Sequence, residues 1–506
     1  MGKETESQIN LVELKGKMRQ ESPPTPSETP TSDWMHPIKV KLGILRERSM
    51  NLSIYKVPNK LRHVNEEAYS PRIVSIGPFH QGKRDLLAME EHKWRYMLSL
   101  VHRTPNPEKS LDECGKSIIE LEEKARGCYA ENIKFNKKEL AEMLLVDGCF
   151  ILELFLRRSL RDFVDKSDPI FNNAWMVPTL QHDLALLENQ IPFFVLQNLY
   201  EFILPFAPKT LPRLFTALAL SFFHADLSLN QVTSRGESIQ SSRHLLDLLH
   251  NFYLPTSPVN DPKCKENWGF RHCATKLLEA GIQFEKSSTV EDRLLDVKFS
   301  NGVINIPPLS VGTTTESLLR NLIALEQCSF GSSHHITSYA ILINGLIHSS
   351  ADIELLQRKG IIINNLGRGE EVLPLINSIC KEVVLKDFYF SKLCEEVNAY
   401  HKSWWQWRRH KASWKARWHR YVGALRRDYF SNPWRIISFV AAVLLLLLTG
   451  LQTFYTFLKD VLPSFILCNF DRKILKTERS PSICILTCNF HYMLFYEVLK
   501  VPTIFC

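Results

Sequence analysis

The longest uninterrupted apolar stretch of the chain is Ile436–Leu458, which contains 23 residues without a charge. Arg435 and Lys459 bound it on either side. At 1.5 Å rise per residue, a helix of this length crosses a hydrocarbon core of ~30 Å. The stretch includes five consecutive leucines. It therefore predicts one transmembrane helix, and the alternative is a buried core helix.

The residues in front of this stretch show mainly helical spacing. Asp85–Arg103 has an amphipathic pattern, with Asp85 as the candidate N-cap. Its predicted buried face consists of Leu87, Trp94, Met97, Leu98 and Val101. Glu139–Arg158 is strongly apolar but contains two carboxylates, Asp147 and Glu153, so we expect it in the centre of a protein core.

A proline interrupts the helical pattern of Thr179–Leu204. Pro192 has no N–H to donate to the carbonyl of Glu188, so the helix should kink or break there. The polar residues Glu188, Asn189 and Gln190 lie at this break. We expect their side chains to satisfy the freed backbone groups, and the alternative is that they line a binding site.

The spacing changes at Leu295–Ile306, where apolar residues alternate around Asn301-Gly302. This dipeptide favours a two-residue turn, so we predict a β-hairpin, to which Ile282–Glu285 could add a third strand. Thr313/Glu316 and Ser349/Asp352 each have the spacing of a helix-capping box.

These patterns define the fold class and the segments of the chain. The predicted fold is mainly α-helical with a small antiparallel β-hairpin element and one C-terminal transmembrane helix. The predicted segments are a disordered polar arm (1–45), a helical domain that could divide near 230–270 (46–400), a basic aromatic helix (401–435), the transmembrane helix (436–458) and an atypical tail (459–506).

The net charge of +8 is concentrated just before the apolar stretch. Residues 401–435 contain ten Lys/Arg and one acid, a net +9, and the tail adds +2, which leaves −3 for residues 1–400. A slightly acidic domain gives no reason to expect a nucleic acid as partner. The flanking charge predicts that the N-terminal domain lies in the cytoplasm, because basic flanks stay on that side.

The same basic segment holds six of the ten tryptophans. On a helix, most of them share one face and most Lys/Arg occupy the others. We interpret the segment as a helix lying on the anionic headgroups of the inner leaflet; the alternative is that the tryptophans pack on the main domain. The residues assigned to this membrane interface are Trp404, Trp407, Arg408, Arg409, Lys411, Trp414, Lys415, Arg417, Trp418, Arg420, Trp434 and Arg435.

Local signatures of catalysis are weak. The chain has no HExxH, no GxSxG and no GxGxxG that opens a helix. The twelve cysteines form no CxxC pair, which favours reduced thiols in the cytosol. We assign no catalytic, cofactor-binding or metal-binding residue, although an active site assembled from distant residues would leave no local signature.

Six strings of the sequence are distinctive. They are VPNKLRHVNEEAYSPRIVSIGPFHQG from Val57, DGCFILELF from Asp147, LLENQIPFFVL from Leu186, LLDVKFSNGVINIPPL from Leu294, TESLLRNLIALEQC from Thr315 and PWRIISFVAAVLLLLLTGLQTFYTF from Pro433. They resemble the plant family called domain of unknown function 247, collinearly over roughly residues 54–458. The resemblance implies a helical domain with a C-terminal anchor at the plasma membrane. It supplies no catalytic residues, and some members of the family are associated with self-recognition in pollination.

We therefore interpret the chain as a non-enzymatic, membrane-anchored protein that acts in protein recognition or signalling at the plasma membrane. The expected partners are the anionic inner leaflet and a protein, with no cofactor and no nucleic acid. Two alternatives stay open: an enzyme of an unrecognised class with a pocket near Pro192, and a structural membrane scaffold.

Overall fold

A computed structural model describes most of the chain between residues 35 and 474. The described residues are 35–160, 163–164, 167–224, 239, 241–255, 269–287, 293–329, 333–367, 369–428 and 433–474. Side chains within helices lie outside this description at 44–51, 407–416, 423–428, 433, 435–436 and 458–474. The first 34 residues of the predicted arm and the end of the predicted tail therefore lie outside the described part.

Helices dominate the described residues. They are α1 Met35–Asn51, α2 Asn59–Arg62, α3 Ala88–Val101, α4 Pro107–Arg126, α5 Lys137–Ser159, α6 Pro169–Asn172, α7 Met176–Leu184, α8 Phe193–Ile203, α9 Phe215–Phe223, α10 Leu245–Tyr253, α11 Ala274–Glu279, α12 Thr315–Cys328, α13 His335–Leu346, α14 Ser350–Arg358, α15 Val372–Ile379, α16 Ser391–Asp428 and α17 Pro433–Ile474. The strands are β1 Gln283–Lys286, β2 Lys298–Ser300, β3 Val303–Ile306, β4 Leu309–Val311 and β5 Ile362–Asn364.

The chain forms two units, Met1–Gln406 and Trp407–Cys506. The division falls inside α16. Much of 230–270 lies outside the described residues, so a division of the helical domain there stays a prediction. Helix α1 covers the last residues of the stretch predicted as a disordered arm.

Helix α5 forms the centre of the first unit. Its start is fixed by Asn136, whose Oδ1 accepts hydrogen bonds from the backbone N–H groups of Lys138 and Glu139, while the Glu139 carboxylate accepts from the Asn136 N–H. Between Leu140 and Arg157 nearly every side chain is buried, against α3, α4, α8 and α9. The apolar helix predicted for this segment is confirmed.

Helix α3 buries only part of the face predicted for it, namely Met97 and Val101. Leu87, Trp94 and Leu98 are 51%, 49% and 60% exposed, whereas Met89, Lys93, Tyr96, Met97, Leu100 and Val101 are buried. The reason is Lys93, whose Nζ lies 2.7 Å from Asp147 Oδ1 and 2.8 Å from Glu90 Oε1. Burial alone lowers the pKa of Lys93, but the two carboxylates outweigh it and raise that pKa, so the lysine enters the core as a charged, paired group.

The strands form two small sheets of mixed and parallel pairing. In the first sheet β3 lies between β2, which pairs antiparallel with Ser300 opposite Val303, and β1, which pairs parallel. In the second sheet β4 and β5 are parallel. The description of the strands as an antiparallel element therefore holds only for β2 and β3. The other pairs are parallel, because β1 and β5 reach their partners through long connections that alternation along the chain does not record.

The two predicted capping boxes have opposite outcomes. Ser349 donates its N–H and its hydroxyl to Asp352 Oδ2, at 3.0 Å and 2.8 Å, so the box that opens α14 is confirmed. The box predicted at the start of α12 is wrong. There Glu316 bonds Asn65, Arg320 and Ser378 instead of the backbone, because these partners approach it from other elements.

The start of α16 packs on the first unit. Cys394 and Val397 are buried, and the Tyr400 ring meets Phe299 edge-on at 5.8 Å. The second unit contains α17, in which Ile437–Phe457 is a segment of 21 residues with mean hydropathy 2.2 and no buried part. Among the described residues, α17 is the one helix long and apolar enough to cross a membrane.

Asp352 allows a test of the capping interaction. Burial alone raises the pKa of this carboxyl, but hydrogen bonds from Thr275, Ser349 and His348 lower it to about 2. A lowered pKa stabilises the fold above the unfolded value near 4, and this stabilisation disappears as the pH falls towards 2. We expect Asp352→Asn to reduce the free energy of unfolding by about 2 kcal/mol at pH 7.

The measurement is chemical unfolding of the purified chain at pH 7, 4 and 2.5, followed by tryptophan fluorescence. The difference between wild type and Asp352→Asn should shrink with each step towards low pH. Asp112→Asn, at an exposed position of α4, is the matched control and should unfold like the wild type. A difference that stays constant with pH would contradict the capping role.

Candidate functional site: the polar junction at the Pro192 break

The chain breaks its helical path at Pro192, as predicted. Helix α7 ends at Leu184 and α8 begins at Phe193, with Pro192 as its N-cap residue. The predicted polar residues lie in the connection and are buried: Glu188 is 6% exposed, and Asn189 and Gln190 are each 1% exposed. Buried polar groups of this kind cost free energy unless they are hydrogen-bonded, so their partners decide what the connection does.

Gln190 hydrogen-bonds backbone groups at the end of α7 and within the connection itself. Its Nε2 donates to the carbonyls of Leu184 and Leu186, both at 2.8 Å, and its Oε1 accepts from the Leu246 N–H at 3.2 Å. The end of a helix leaves carbonyls without an intrahelical donor. Gln190 therefore satisfies backbone groups that the break releases, which is the role expected for the polar residues here.

Asp183 and Asn189 hold residues 72–77, which pair with no strand in the described part of the chain. The Asp183 carboxylate accepts the N–H groups of Arg72, Ile73 and Val74 at 2.8–2.9 Å. Asn189 Oδ1 accepts from the Ile76 N–H at 2.7 Å, and its Nδ2 donates to the carbonyls of Val74 and Asp183. These side chains take the place of a neighbouring strand.

The same segment also contacts Asp147, in the middle of α5. Asp147 Oδ2 accepts from the Gly77 N–H at 2.7 Å, while its other oxygen pairs with Lys93. Gly77 has φ +71°, and a Cβ placed there would lie 2.5 Å from the Gln190 carbonyl oxygen. The glycine is required because the backbone of the segment touches the backbone of the connection.

Glu188 contacts the first of the strings that resemble the family, which begins at Val57. Its Oε1 accepts from the Val57 N–H at 2.7 Å and from Arg62 Nη2 at 2.5 Å. His80 Nε2 lies 3.5 Å from Glu188 Oε2. Burial lowers the pKa of His80 to about 3, with further lowering by Lys83, Arg62 and Lys56, so the imidazole is neutral and a weak base at physiological pH.

We call this set of contacts the polar junction: Asp147, Asp183, Glu188, Asn189 and Gln190 with the backbone of residues 57–77. Its carboxylates and amides are engaged by backbone N–H groups, by Lys93 or by Arg62. Among the described residues, no group of three or more His, Cys, Asp or Glu is placed to hold a metal ion. The contacts of the polar junction therefore fix the path of the chain.

One cavity lies elsewhere, between α12, α13 and α15. Its volume is about 10 Å³, and its lining includes Leu319, Ile343 and Tyr339. The Tyr339 hydroxyl is buried, and within the described part of the chain it has no hydrogen-bond partner. This volume holds about one water molecule, which the hydroxyl could bind.

The predicted membrane-interface residues lie on α16 and at the start of α17. Trp404 is half-buried, and its indole Nε1 would lie 3.1 Å from a Cβ at Gly281, so this residue follows the packing alternative. Arg417, Trp418, Arg420 and Trp434 are exposed. The side chains that fall outside the described part are those of Trp407, Arg408, Arg409, Lys411, Trp414, Lys415 and Arg435. For residues beyond Trp404, contact with a membrane stays a prediction.

Sequence reasoning missed Asp183 and Asn321. Asn321 Oδ1 accepts from the Leu187 N–H at 2.9 Å, and its Nδ2 donates to the Ala68 carbonyl at 2.8 Å. Both residues are fully buried. The available signal was a polar residue close to apolar ones in a helical stretch, which spacing alone does not distinguish from a solvent-facing position.

Comparison with known proteins places the chain in a family. A family described as plant protein of unknown function, DUF247, matches residues 54–448. The chain belongs to this family. It is 30% identical to UPF0481 protein At3g47200 of Arabidopsis thaliana over 423 residues, which cover 79% of this chain and 85% of the relative. A second Arabidopsis thaliana UPF0481 protein, At3g02645, is 24% identical over 80% of this chain and 90% of its own length. No solved structure matches the chain.

The DUF247 match contains the whole polar junction. The match begins at residue 54, just before the backbone of residues 57–77, and ends at residue 448, within the apolar part of α17. Four of the strings that resemble the family contribute to the junction and its surroundings, through Gly77, Asp147, Glu188 and Asn321. The resemblance inferred from the sequence is confirmed.

Gly77 and Gly82 form a matched pair for testing the junction. Both have positive φ, +71° and +80°, but a Cβ at Gly82 would meet nothing within 4 Å. We expect Gly82→Ala to cost about 1 kcal/mol of stability from backbone strain. Gly77→Ala should cost about 3 kcal/mol or more, because the methyl group collides with the Gln190 carbonyl and separates the segment from its partners.

Urea unfolding of both variants, with wild type alongside, measures the difference. An unchanged slope with denaturant would show that the comparison reports stability alone. Equal losses at the two glycines would contradict the role given to the contact between Gly77 and Gln190.

Proposed function

We propose that this chain is a single-pass membrane-anchored protein whose helical domain faces the cytoplasm and recognises another protein, in signalling at the plasma membrane. The observation that carries the proposal is the apolar segment Ile437–Phe457, which no part of the described chain covers. The molecular function of DUF247 proteins is unknown, so the role rests on this chain's own features and on the family resemblance, which implies the plasma membrane.

The length and surroundings of the apolar segment support an anchor. Twenty-one residues extend about 31 Å as a helix, close to the thickness of a hydrocarbon core. Large side chains such as Leu446 and Tyr455 are 73% and 72% exposed. A water-soluble protein would leave this surface in contact with water, whereas a bilayer covers it.

The basic segment before the anchor supports both the orientation and the lipid contact. The net +9 of residues 401–435 contrasts with +2 after the anchor. Each Lys or Arg near an anionic leaflet contributes about 1 kcal/mol. Trp418 and Arg420 lie exposed on α16, and we assign them to headgroups at the inner leaflet.

The polar junction supports a non-enzymatic role. An enzyme with its pocket near Pro192 would need polar groups that reach a substrate, but Glu188, Asn189 and Gln190 are buried and bonded within the chain. His80, which lies beside Glu188, has a pKa of about 3, which is unsuited to proton transfer near pH 7.

Helix α3 provides the surface that we propose for a protein partner. Leu87, Trp94 and Leu98 are spaced seven and four residues apart, so they lie on one side of the helix, and each is about half exposed or more. Exposed apolar stripes of this kind mark contact surfaces, and tryptophan is prominent among residues that dominate binding energy.

The orientation can be tested with the chain's own glycosylation sequon, Asn51-Leu52-Ser53. With the domain in the cytoplasm, Asn51 stays unmodified. Replacing the ten Lys/Arg of residues 401–435 by Gln removes the charge that holds the domain inside, so a fraction of the chains should insert inverted and acquire a glycan. The measurement is a mobility shift that an endoglycosidase reverses.

Asn51→Gln in the same background is the control, and it should abolish the shift. Glycosylation of the wild-type chain would contradict the cytoplasmic orientation. Release of the wild-type chain from membranes by alkaline carbonate would contradict the anchor itself.

Proximity labelling in intact plant cells tests the recognition surface. A labelling enzyme fused to the N-terminus should mark a small, reproducible set of inner-face proteins. Trp94→Ala should reduce this labelling about 10-fold or more, because removing a central tryptophan costs about 2 kcal/mol of binding energy. Trp175→Ala removes a tryptophan that is 58% exposed on another part of the surface and should leave the labelling unchanged. Equal effects of the two variants would contradict a partner on α3.

A further inference from the structure

The apolar segment of α17 has two different sides. Most of its polar and small residues lie on one side of the helix, and a row with alternating intervals of four and three positions runs along that side. The residues at this spacing are Ser438, Ala442, Leu445, Thr449, Gln452 and Thr456. At 100° per residue they lie within roughly 80° of the helix circumference. We call this set the polar seam, and all six residues are exposed.

The side opposite the polar seam is occupied mainly by large apolar side chains. Phe439, Val443, Leu447, Leu451 and Phe454 lie away from the polar seam. Lipid alone favours apolar residues on every side of a spanning helix, so it does not explain the division. Alternating intervals of four and three positions are typical of the seam between two helices that pack at a shallow angle.

The hydroxyl groups of the segment are satisfied inside the helix. Ser438 Oγ donates to the Trp434 carbonyl at 3.0 Å, and the hydroxyls of Thr449 and Thr456 donate to carbonyls four residues earlier. These residues add little polarity to the surface and allow close approach of a second helix.

Gln452 is different, because its side-chain amide has no hydrogen bond within the described part of the chain. It lies five residues from Leu447, the middle of Ile437–Phe457, and so about 7.5 Å from the centre of the hydrocarbon core. The half-thickness of that core is about 15 Å. An amide left without partners there costs several kcal/mol.

We propose that the polar seam binds the same seam of a second copy of this chain, in a parallel pair in which the two Gln452 amides hydrogen-bond each other. The inference rests on the proposed membrane anchor. An amide contains donors and an acceptor, so two identical amides at equal depth satisfy each other across a two-fold axis. A second copy supplies that match at every position, whereas an unrelated helix would need its own polar group at the same depth.

The test uses two full-length copies with different fluorescent tags, co-expressed and reconstituted in vesicles of phosphatidylcholine and phosphatidylserine. Energy transfer measured against protein-to-lipid ratio gives the association constant. Gln452→Leu should lower it roughly 3- to 15-fold, the range expected for interhelical hydrogen bonds in membranes. Gln452→Asn keeps an amide and should retain most of the association. Leu447→Ala, on the opposite side, is the matched control and should change nothing.

The outcomes separate this inference from the anchor on which it rests. Chains that resist alkaline carbonate but stay monomeric at every ratio overturn the pairing and leave the anchor standing. Equal association of wild type and Gln452→Leu, or equal losses in Gln452→Leu and Leu447→Ala, also overturn it. Chains that carbonate releases from the membrane overturn both proposals.

Discussion

The first unit depends on how the extended backbone at residues 72–77 is held. Within the described part of the chain this segment pairs with no strand, and most of it is buried. A buried N–H group without an acceptor costs about 1–3 kcal/mol. Asp183, Asn189 and Asp147 accept these N–H groups. Charged acceptors make stronger hydrogen bonds than neutral ones, so a few side chains replace a whole strand.

Several other features follow from this constraint. The break at Pro192 is needed because the connection after α7 must turn its polar side chains toward the segment and its own freed carbonyls. Asp147 needs a counter-charge in the core, and Lys93 supplies it from α3. Because Lys93 lies on the inner face of α3, Leu87, Trp94 and Leu98 lie on its outer face. A support deep in the fold thus creates the apolar stripe that we propose as a recognition surface.

The two proposals for the membrane segment reinforce each other physically. An anchor confines the chain to a surface, and a pairing anchor brings two recognition domains into the same small area. A ligand with two copies of its own epitope would then bind the second domain as an intramolecular event, which raises the apparent affinity without a new contact. The hydrogen bond between the two Gln452 amides need contribute only modestly to the free energy of pairing. Confinement to the bilayer has already reduced the entropy that the two chains lose on association.

The sequence by itself determined the elements whose cause is local. The apolar run of α17, the apolar helix α5, the break at Pro192 and the cap of Ser349 on Asp352 each depend on residues within a few positions of one another. It also identified the family, because long strings carry that information directly.

Only the tertiary structure decided which polar residues are buried and what they hold. Glu316 has the spacing of a cap but bonds Asn65, 251 positions away, and Leu187 is held by Asn321, 134 positions away. The parallel pairing of β4 with β5 likewise joins distant segments. Hydrophobic spacing records whether a position avoids water on average, whereas the burial of a charge depends on a partner that the fold brings to it. For that reason the spacing did not place Lys93 on the buried face of α3, although Lys93 is part of the core.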